Sequence, residues 1–462
     1  MSGPRPHAPD RRLKAPRDES VHQAADAWRG DMFRTTVAAL EATGVPWCVL
    51  HGYDAYPDHI ASDVDLLVRD SPRDVIRTVL PRLHGEMRLV QAIEHEPNAT
   101  YFVLATTRGT HVVFLPLDVS ADYRRNGRVF LLADDVLGGR RRQRDVWVPS
   151  VATEFAYYIA KKVAKGQLGD AHALSLGNLF ARDPHGCADH LRRLFQPEEA
   201  SMIEHAAAEQ QWQLVQNNIP RLRRSLLSMG ATRRLPQTAS YWFADVYRRI
   251  RRVAHPTGLF VALLGPDGAG KSTVVSRLVE ELAPAFRRTA VYHLRPRVGA
   301  LGSAEARSDP HAAPPRGVAA SIAKLTYWLT DYLIGYALGI WPRLVRSTFV
   351  VFDRYYFDVL VDTKRYRYGG PRWLARLFAS GVPTPDLTII LDVPAEVLRA
   401  RKAELTLDEA RRQRNDLLRL SRTTLPSSHV IDASRDIDVV VADVETVILD
   451  YMSRRAEKRL GR

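Results

Sequence analysis

Gly265-Pro-Asp-Gly-Ala-Gly-Lys-Ser-Thr273 stands between an apolar run, Leu259-Phe-Val-Ala-Leu-Leu264, and a helix-like stretch from Ser272 to Leu282. It fits the pattern G-x-x-x-x-G-K-[ST], a phosphate-binding loop. The strand delivers the loop to a sheet edge, and its glycines let backbone N–H groups close on phosphate oxygens. The helix N-terminus adds further donors. The expected nucleotide contacts are Gly265, Asp267, Gly268, Ala269, Gly270, Lys271, Ser272 and Thr273. Lys271 has the reach for the β/γ-phosphates of ATP, and the Ser272 hydroxyl is a ligand for Mg²⁺. Asp267 is unusual beside a triphosphate, unless it faces a second substrate.

Downstream, short and nearly continuous apolar runs recur at 289–294, 349–352, 387–391 and 429–431. Such runs suit parallel strands covered on both faces. The spacing predicts a doubly wound α/β module over residues 257–457, interrupted by a Pro/Gly/Ala-rich loop at 295–317 with the length of a lid or a disordered insert. Upstream, 21–149 reads as mixed α/β, and 150–253 as a helical extension. Phe155, Ile159 and Val163 recur in that extension at helical spacing. Residues 1–20 are rich in Pro and Arg, lack an apolar core and read as a disordered tail rather than a signal peptide.

The chain has 462 residues and a formal net charge of +14. The excess is spread, with 35 Lys and Arg against 29 Asp and Glu in residues 1–255 and 31 against 23 in 256–462. A dedicated nucleic-acid domain concentrates its charge, so phosphorylated small molecules are the better partners. With two cysteines, Cys48 and Cys187, neither a disulfide framework nor a zinc site is expected, and a reducing cytoplasm is the natural home. The apolar segment 327–344 holds Asp331 and Pro342 and falls short of a membrane span. It reads as a buried helix broken at the proline. A homodimer is compatible with the sequence.

Phe349-Val-Val-Phe-Asp-Arg354 is an apolar strand ending in an acid, which puts Asp353 beside the loop as a second Mg²⁺ ligand. Arg354 is suited to gripping an acceptor phosphate bidentately. Together with the Asp-containing loop and Pro385-Asp-Leu-Thr-Ile-Ile-Leu-Asp-Val-Pro394, these residues resemble the thymidylate kinases over roughly residues 258–455. The resemblance implies that Asp267 contacts the acceptor sugar and Arg354 its phosphate. It also implies that an Arg-rich lid (Arg399, Arg401, Arg411, Arg412, Arg414) supplies the transition-state arginine, with Arg401, Arg411 and Arg412 as candidates. Arg295 and Pro296 match the start of the family's Arg-Glu-Pro-Gly-Gly, making Arg295 a further acceptor contact, but the acid and the glycine pair are missing. Asp358 stands where the family often has serine. These departures leave the acceptor open between a nucleoside monophosphate, dTMP first, and a sugar phosphate.

A second constellation lies upstream. His51-Gly-Tyr53 closes a strand, Asp63-Val-Asp65 opens the next, and Leu117-Asp-Val119 ends another. Carboxylates at i and i+2 on a strand point the same way. With Asp118 they form the ligand set of a two-metal (Mg²⁺) site for nucleotidyl transfer. Residues 30–150 resemble the minimal nucleotidyltransferase fold, although Tyr53 replaces the small residue usual after the glycine and would crowd a triphosphate. Lys161, Lys162 and Lys165 read as a helix's solvated face, and Arg140–Arg144 as a solvated loop. The primary expectation is an ATP- and Mg²⁺-dependent P-loop kinase. The alternatives are a nucleotidyltransferase working through Asp63 and Asp65, and an ATP-gated regulatory protein.

Overall fold

The computed structural model describes residues 19–125, 127–228, 235–297, 314–401, 406–425 and 427–461. The expected tail falls outside them except at its end, where helix α1 (Glu19–Glu41) already begins. Most of the 295–317 insert also lies outside.

The first module is built on a five-stranded mixed sheet. Its strands are β1 (Trp47–Val49), β2 (Val64–Val68), β3 (Arg88–Glu96), β4 (Ala99–Arg108) and β5 (His111–Ser120), in spatial order β1-β2-β5-β4-β3. Helix α2 (Pro72–Val79) follows β2. Strands β2 and β5 run parallel with Asp65 opposite Asp118, and the other pairs are antiparallel. Long β3 was not anticipated, because Gln91, Glu94, His95 and Glu96 interrupt its apolar alternation. Two small hairpins follow: β6 (Tyr123–Arg125) with β7 (Arg128–Leu131), and, after α3 (Ala133–Gly138), β8 (Arg141–Gln143) with β9 (Val146–Val148). The expected solvated Arg140–Arg144 loop is therefore partly a strand. Arg140 and Arg142 lie over the Trp147 ring at 4.7 and 5.2 Å, since a guanidinium gains from an aromatic face.

The helical extension comprises α4 (Val151–Lys165), α5 (Asp170–Arg182), α6 (Pro184–Leu194), α7 (Pro197–Ala208), α8 (Trp212–Asn217), α9 (Ile219–Ser228) and α10 (Leu235–Ala254). Ser150 caps α4 by accepting from Thr153 N, and Gly166 ends it in the left-handed conformation that a residue without Cβ adopts cheaply. Phe155, Ile159 and Val163 are fully buried on one face of α4, which packs among the other helices.

The second module is a parallel sheet of β10 (Leu259–Leu264), β11 (Arg288–His293), β12 (Thr348–Asp353), β13 (Leu387–Asp392) and β14 (Ser428–Asp432), ordered β11-β12-β10-β13-β14. Every strand lies within a residue or two of its expected bounds. Its helices are α11 (Lys271–Glu281), α12 (Val318–Gly335), α13 (Trp341–Val345), α14 (Asp358–Val361), α15 (Arg372–Gly381), α16 (Ala395–Arg401), α17 (Leu407–Thr423) and α18 (Ile437–Leu460). The expected break at Pro342 is corrected: the chain stays helical, passing through a π-turn at Tyr336–Ile340. Widening the turn accommodates a residue that lacks an N–H. The segment is also not fully buried, since Leu333, Ile334 and Leu338 are exposed. Among the described residues, no helix is long and apolar enough to cross a membrane.

The two modules share a core. Val90, Val103, Ala105 and Phe114 of the first sheet join the cluster that contains Leu282, Phe286 and Met452 of the second. Gln91 Nε2 donates to Thr257 O at 3.1 Å across the seam.

Candidate functional site

The phosphate-binding loop leaves the carboxyl end of β10, the central strand, and turns into α11. Gly268 (φ 86°) and Gly270 (φ 84°) take left-handed conformations that strain other residues. No side chain caps α11, so its first N–H groups remain available to an anion. Ala269 is buried in the core, which turns the loop's backbone, not a side chain, toward the phosphate position. Lys271 is buried, and its Nζ donates to Gly265 O at 2.8 Å and Pro266 O at 2.7 Å. Burial, with Arg354 nearby, pulls its ammonium down to about 8.

Parallel pairing of β10 with β12 sets Leu263 beside Asp353 and brings the strand-end acid to the loop. Ser272 Oγ donates to Asp353 Oδ2 at 2.7 Å, and His293 Nδ1 stands 3.9 Å from the same oxygen. Burial alone would raise the Asp353 carboxyl. The approach of His293, the bond from Ser272 and the charge of Lys271 outweigh it and hold the group at about 2. Its other oxygen, Oδ1, is buried without a hydrogen-bond partner among the described residues. A permanently ionised carboxylate with a spare oxygen beside a serine hydroxyl fits a hard divalent cation such as Mg²⁺.

The acceptor side is a charge network. Arg354 adopts a positive φ of 72°, fixed by its N–H donating to Leu263 O at 3.0 Å. Its guanidinium donates to both Asp267 and Asp358, the latter at 3.0 Å. Arg365 takes the second oxygen of Asp267. Thus Asp267 and Arg354, expected to meet different parts of an acceptor, hold each other here, and Arg365 completes the set. Sequence reading passed over Arg365. Its only signal was the basic run Lys364-Arg-Tyr-Arg367, placed shortly after Asp353-Arg354.

The remaining expectations divide. Arg295 donates to Asp331 Oδ2 at 3.0 Å and lies over the rings of Tyr327 and Trp328, so α12 holds it at the end of β11. Arg401 donates to Ala433 O at 3.1 Å, and Arg411 to Glu396 at 2.7 Å. Arg412 pairs with Glu409 and Asp416. Arg414, not among the chosen lid candidates, forks onto Asp392 at 2.6 and 2.7 Å at the carboxyl end of β13.

In the first module, ligand atoms of Asp63, Asp65 and Asp118 lie within 4.8 Å of one another. Burial, then the charges of Asp65 and Asp63, push Asp118 up to about 7. Lys161 pairs with Asp65, correcting its reading as a solvated side chain, and His95 Nε2 lies 3.5 Å from Asp118. Lys162 Nζ meets His172 Nε2 at 2.8 Å. One ammonium beside three gathered carboxylates leaves negative charge that suits divalent metal. Tyr53 does not crowd this pocket. Its ring is buried and its hydroxyl donates to Glu154, which also meets His51 Nδ1 at 3.0 Å.

A thymidylate kinase family profile matches residues 264–444. The thymidylate kinase of Xanthomonas euvesicatoria pv. vesicatoria (strain 85-10) is 30% identical over 211 residues, which is 43% of this chain and 87% of that protein. A probable thymidylate kinase of Archaeoglobus fulgidus is 29% identical over 202 residues, 42% of this chain and 97% of that one. The crystal structure of thymidylate kinase from Ehrlichia chaffeensis covers 41% of this chain and 98% of its own, at 18% identity and a TM-score of 0.31. The profile falls wholly within the second module, over the loop, the strand-end acid and the arginine-rich helices. Through that module the chain belongs to the thymidylate kinase family, and the module is a P-loop phosphotransferase.

Proposed function

We propose that the second module transfers the γ-phosphoryl group of ATP, with Mg²⁺, to a nucleoside monophosphate. The observation that carries this reading is the meeting of Lys271, Ser272 and Asp353 beside the Asp267–Arg354–Arg365 network. Lys271, now bonded to two loop carbonyls, exchanges them for β/γ-phosphate oxygens. Ser272 and Asp353 would hold the cation, which would supply charge neutralisation for the transferring phosphoryl group. Arg354 and Arg365 exchange Asp267 for the acceptor phosphate, and Asp267 then accepts from an acceptor hydroxyl. An acceptor phosphate oxygen attacks the γ-phosphorus, the bond to the bridging oxygen breaks, and ADP leaves. Catalysis here is positioning and electrostatic stabilisation, with no covalent enzyme intermediate. A lid arginine, among Arg401, Arg411 and Arg412, then stabilises the transferring group.

Asp358 distinguishes this site from the family pattern. A buried acid behind Arg354 fixes the guanidinium from the side away from Asp267. The acceptor is therefore tested as a panel, with dTMP first and sugar phosphates included. ADP formation is followed with each, for the native chain and Lys271→Ala. Stimulation by one acceptor, lost in Lys271→Ala, is expected. Equal turnover with and without every acceptor would remove the kinase reading and leave an ATP-gated regulator.

The convergence of Asp63, Asp65 and Asp118 supports a second reading: the first module is a metal-dependent nucleotidyltransferase. Pyrophosphate release from a nucleoside triphosphate should then be lost in Asp65→Asn and kept in Lys271→Ala. Release unaffected by Asp65→Asn rules this reading out.

A further inference from the structure

A cavity of about 600 Å³ lies at the seam between the modules, away from both sites above. Thr257 and Asp386, which precede β10 and β13, line it. It therefore sits at the amino ends of the strands whose carboxyl ends carry the phosphate-binding loop, a separation of roughly 20 Å for six-residue strands. It cannot be part of the kinase site.

Its walls are strongly basic. Helix α10 contributes Arg248, Arg251 and Arg252, helix α18 contributes Arg455, Lys458 and Arg459, and Arg73 joins from the first module. The lining carboxylates are Glu94 and Asp386. Glu94 is shared between Arg73 at 3.1 Å and Arg251 at 3.9 Å, and Asp245 takes Arg248. Arg252, Arg455 and Arg459 have no carboxylate partner among the described residues. They donate to the carbonyls of Val345, Gly258, Thr257 and Pro256, which orient them without neutralising them. Burial, with neighbouring guanidiniums, depresses Arg252 and Arg459 to about 10, and the charge of Asp386 offsets this only in part at Arg459. Fixing so many like charges around one cavity is costly unless an anion enters it.

Ile93, Pro256 and Trp341 add an apolar patch to the wall. The volume lies within the range of small-molecule sites, and guanidiniums held in place by backbone carbonyls suit phosphate oxygens.

We propose that this interdomain cavity binds a polyphosphorylated small molecule at a site separate from both candidate catalytic centres. Ile93 and Glu94 of β3 line the cavity, while the adjoining His95 and Glu96 line the pocket of Asp63, Asp65 and Asp118. A ligand here therefore sits on the strand that walls the first module's site. The inference does not depend on which reaction either module performs.

The test uses the full-length Lys271→Ala chain in EDTA. The loop lysine is then absent, and EDTA removes any metal that would bridge a phosphate to Asp63, Asp65 and Asp118. Inorganic tripolyphosphate is titrated calorimetrically. Saturable binding that weakens steeply with salt is expected. Arg251→Gln combined with Lys458→Gln should weaken it about tenfold or more, while unliganded thermal stability stays near that of the parent. Glu94→Gln, which removes an anion from the wall, should tighten it several-fold, a gain that misfolding cannot imitate. ATP titrated in parallel separates two sources of the same chemistry. Tighter binding than tripolyphosphate identifies a nucleotide whose base uses the Trp341 wall, and equal binding identifies a bare polyphosphate. Absence of saturable binding, or affinity unchanged in both the double variant and Glu94→Gln, overturns the proposal.

Discussion

Replacing Glu445 with glutamine should stabilise this protein at neutral pH by an amount that grows with pH. Glu445 lies on α18, fully buried against α11, the helix that the phosphate-binding loop leads into. Neither carboxyl oxygen has a hydrogen-bond donor among the described residues. It faces Glu281, which is held by Arg277 at 2.6 Å, and two carboxyls can bond only by sharing a proton. Burial, and then the charge of Glu281, raises the Glu445 carboxyl far above its ordinary value of 4.5. The folded state therefore binds a proton that the unfolded state releases. The sign follows from linkage: the stabilising contribution is fully present below the unfolded value and is lost as pH rises toward the raised folded value, at up to about 1.4 kcal/mol per pH unit. Between that unfolded value and pH 7, about 3 kcal/mol is lost. Glutamine keeps the shape, stays neutral and donates its amide to Glu281. Glu445→Gln should match the native chain near pH 4 and exceed it by about 3 kcal/mol at pH 7, or roughly 6–12 °C in Tm for a module of this size. Thermal unfolding followed by circular dichroism at pH 5, 6, 7 and 8 measures the difference. A difference that does not change with pH, or a less stable variant at pH 7, would refute the reasoning.

Three further outcomes follow from the geometry. Arg365→Met should raise the acceptor KM at least about tenfold and leave the KM for ATP nearly unchanged, because Arg365 bonds the Asp267 carboxylate and not Lys271 or Ser272; steady-state kinetics with both substrates varied separates the two. Gly258→Ala should destabilise the chain by about 1–3 kcal/mol or more in urea unfolding, because a Cβ there would sit 2.6 Å from Leu344 Cα and from Thr348 O, both backbone. Asp65→Asn should abolish nucleotide-independent Mn²⁺ binding measured by calorimetry, and Lys161→Met, which removes a competing cation, should strengthen it.

The phosphotransferase site was largely legible because its chemistry is local. Gly265 to Thr273 carry loop, lysine and serine in nine consecutive residues, and the β/α alternation that places Asp353 beside them shows as short apolar runs. Asp63 and Asp65 were likewise readable as an i, i+2 pair, and Asp118 as a strand-end acid. Arg365 and Arg414 were not, because each gains meaning only from a carboxylate many residues away, Asp267 or Asp392. Lys161 looked like a solvated side chain until α4 was laid across β2. Strand β3 escaped notice because polar residues serving two pockets break its pattern.

By itself, then, the sequence determined what depends on neighbours along the chain: the loop, most of the strands and helices, and the family. Only the tertiary structure decided which charges face one another. Asp267 lies between two arginines, Lys161 enters an acid pocket, and Glu445 is buried against another acid. It also decided that the arginines of α10 and α18, each ordinary on its own helix, surround one cavity. The physical reason is range: hydrogen-bonded loops and periodic burial are set within a few residues, whereas ion pairing and desolvation depend on distances that exist only once the modules have packed.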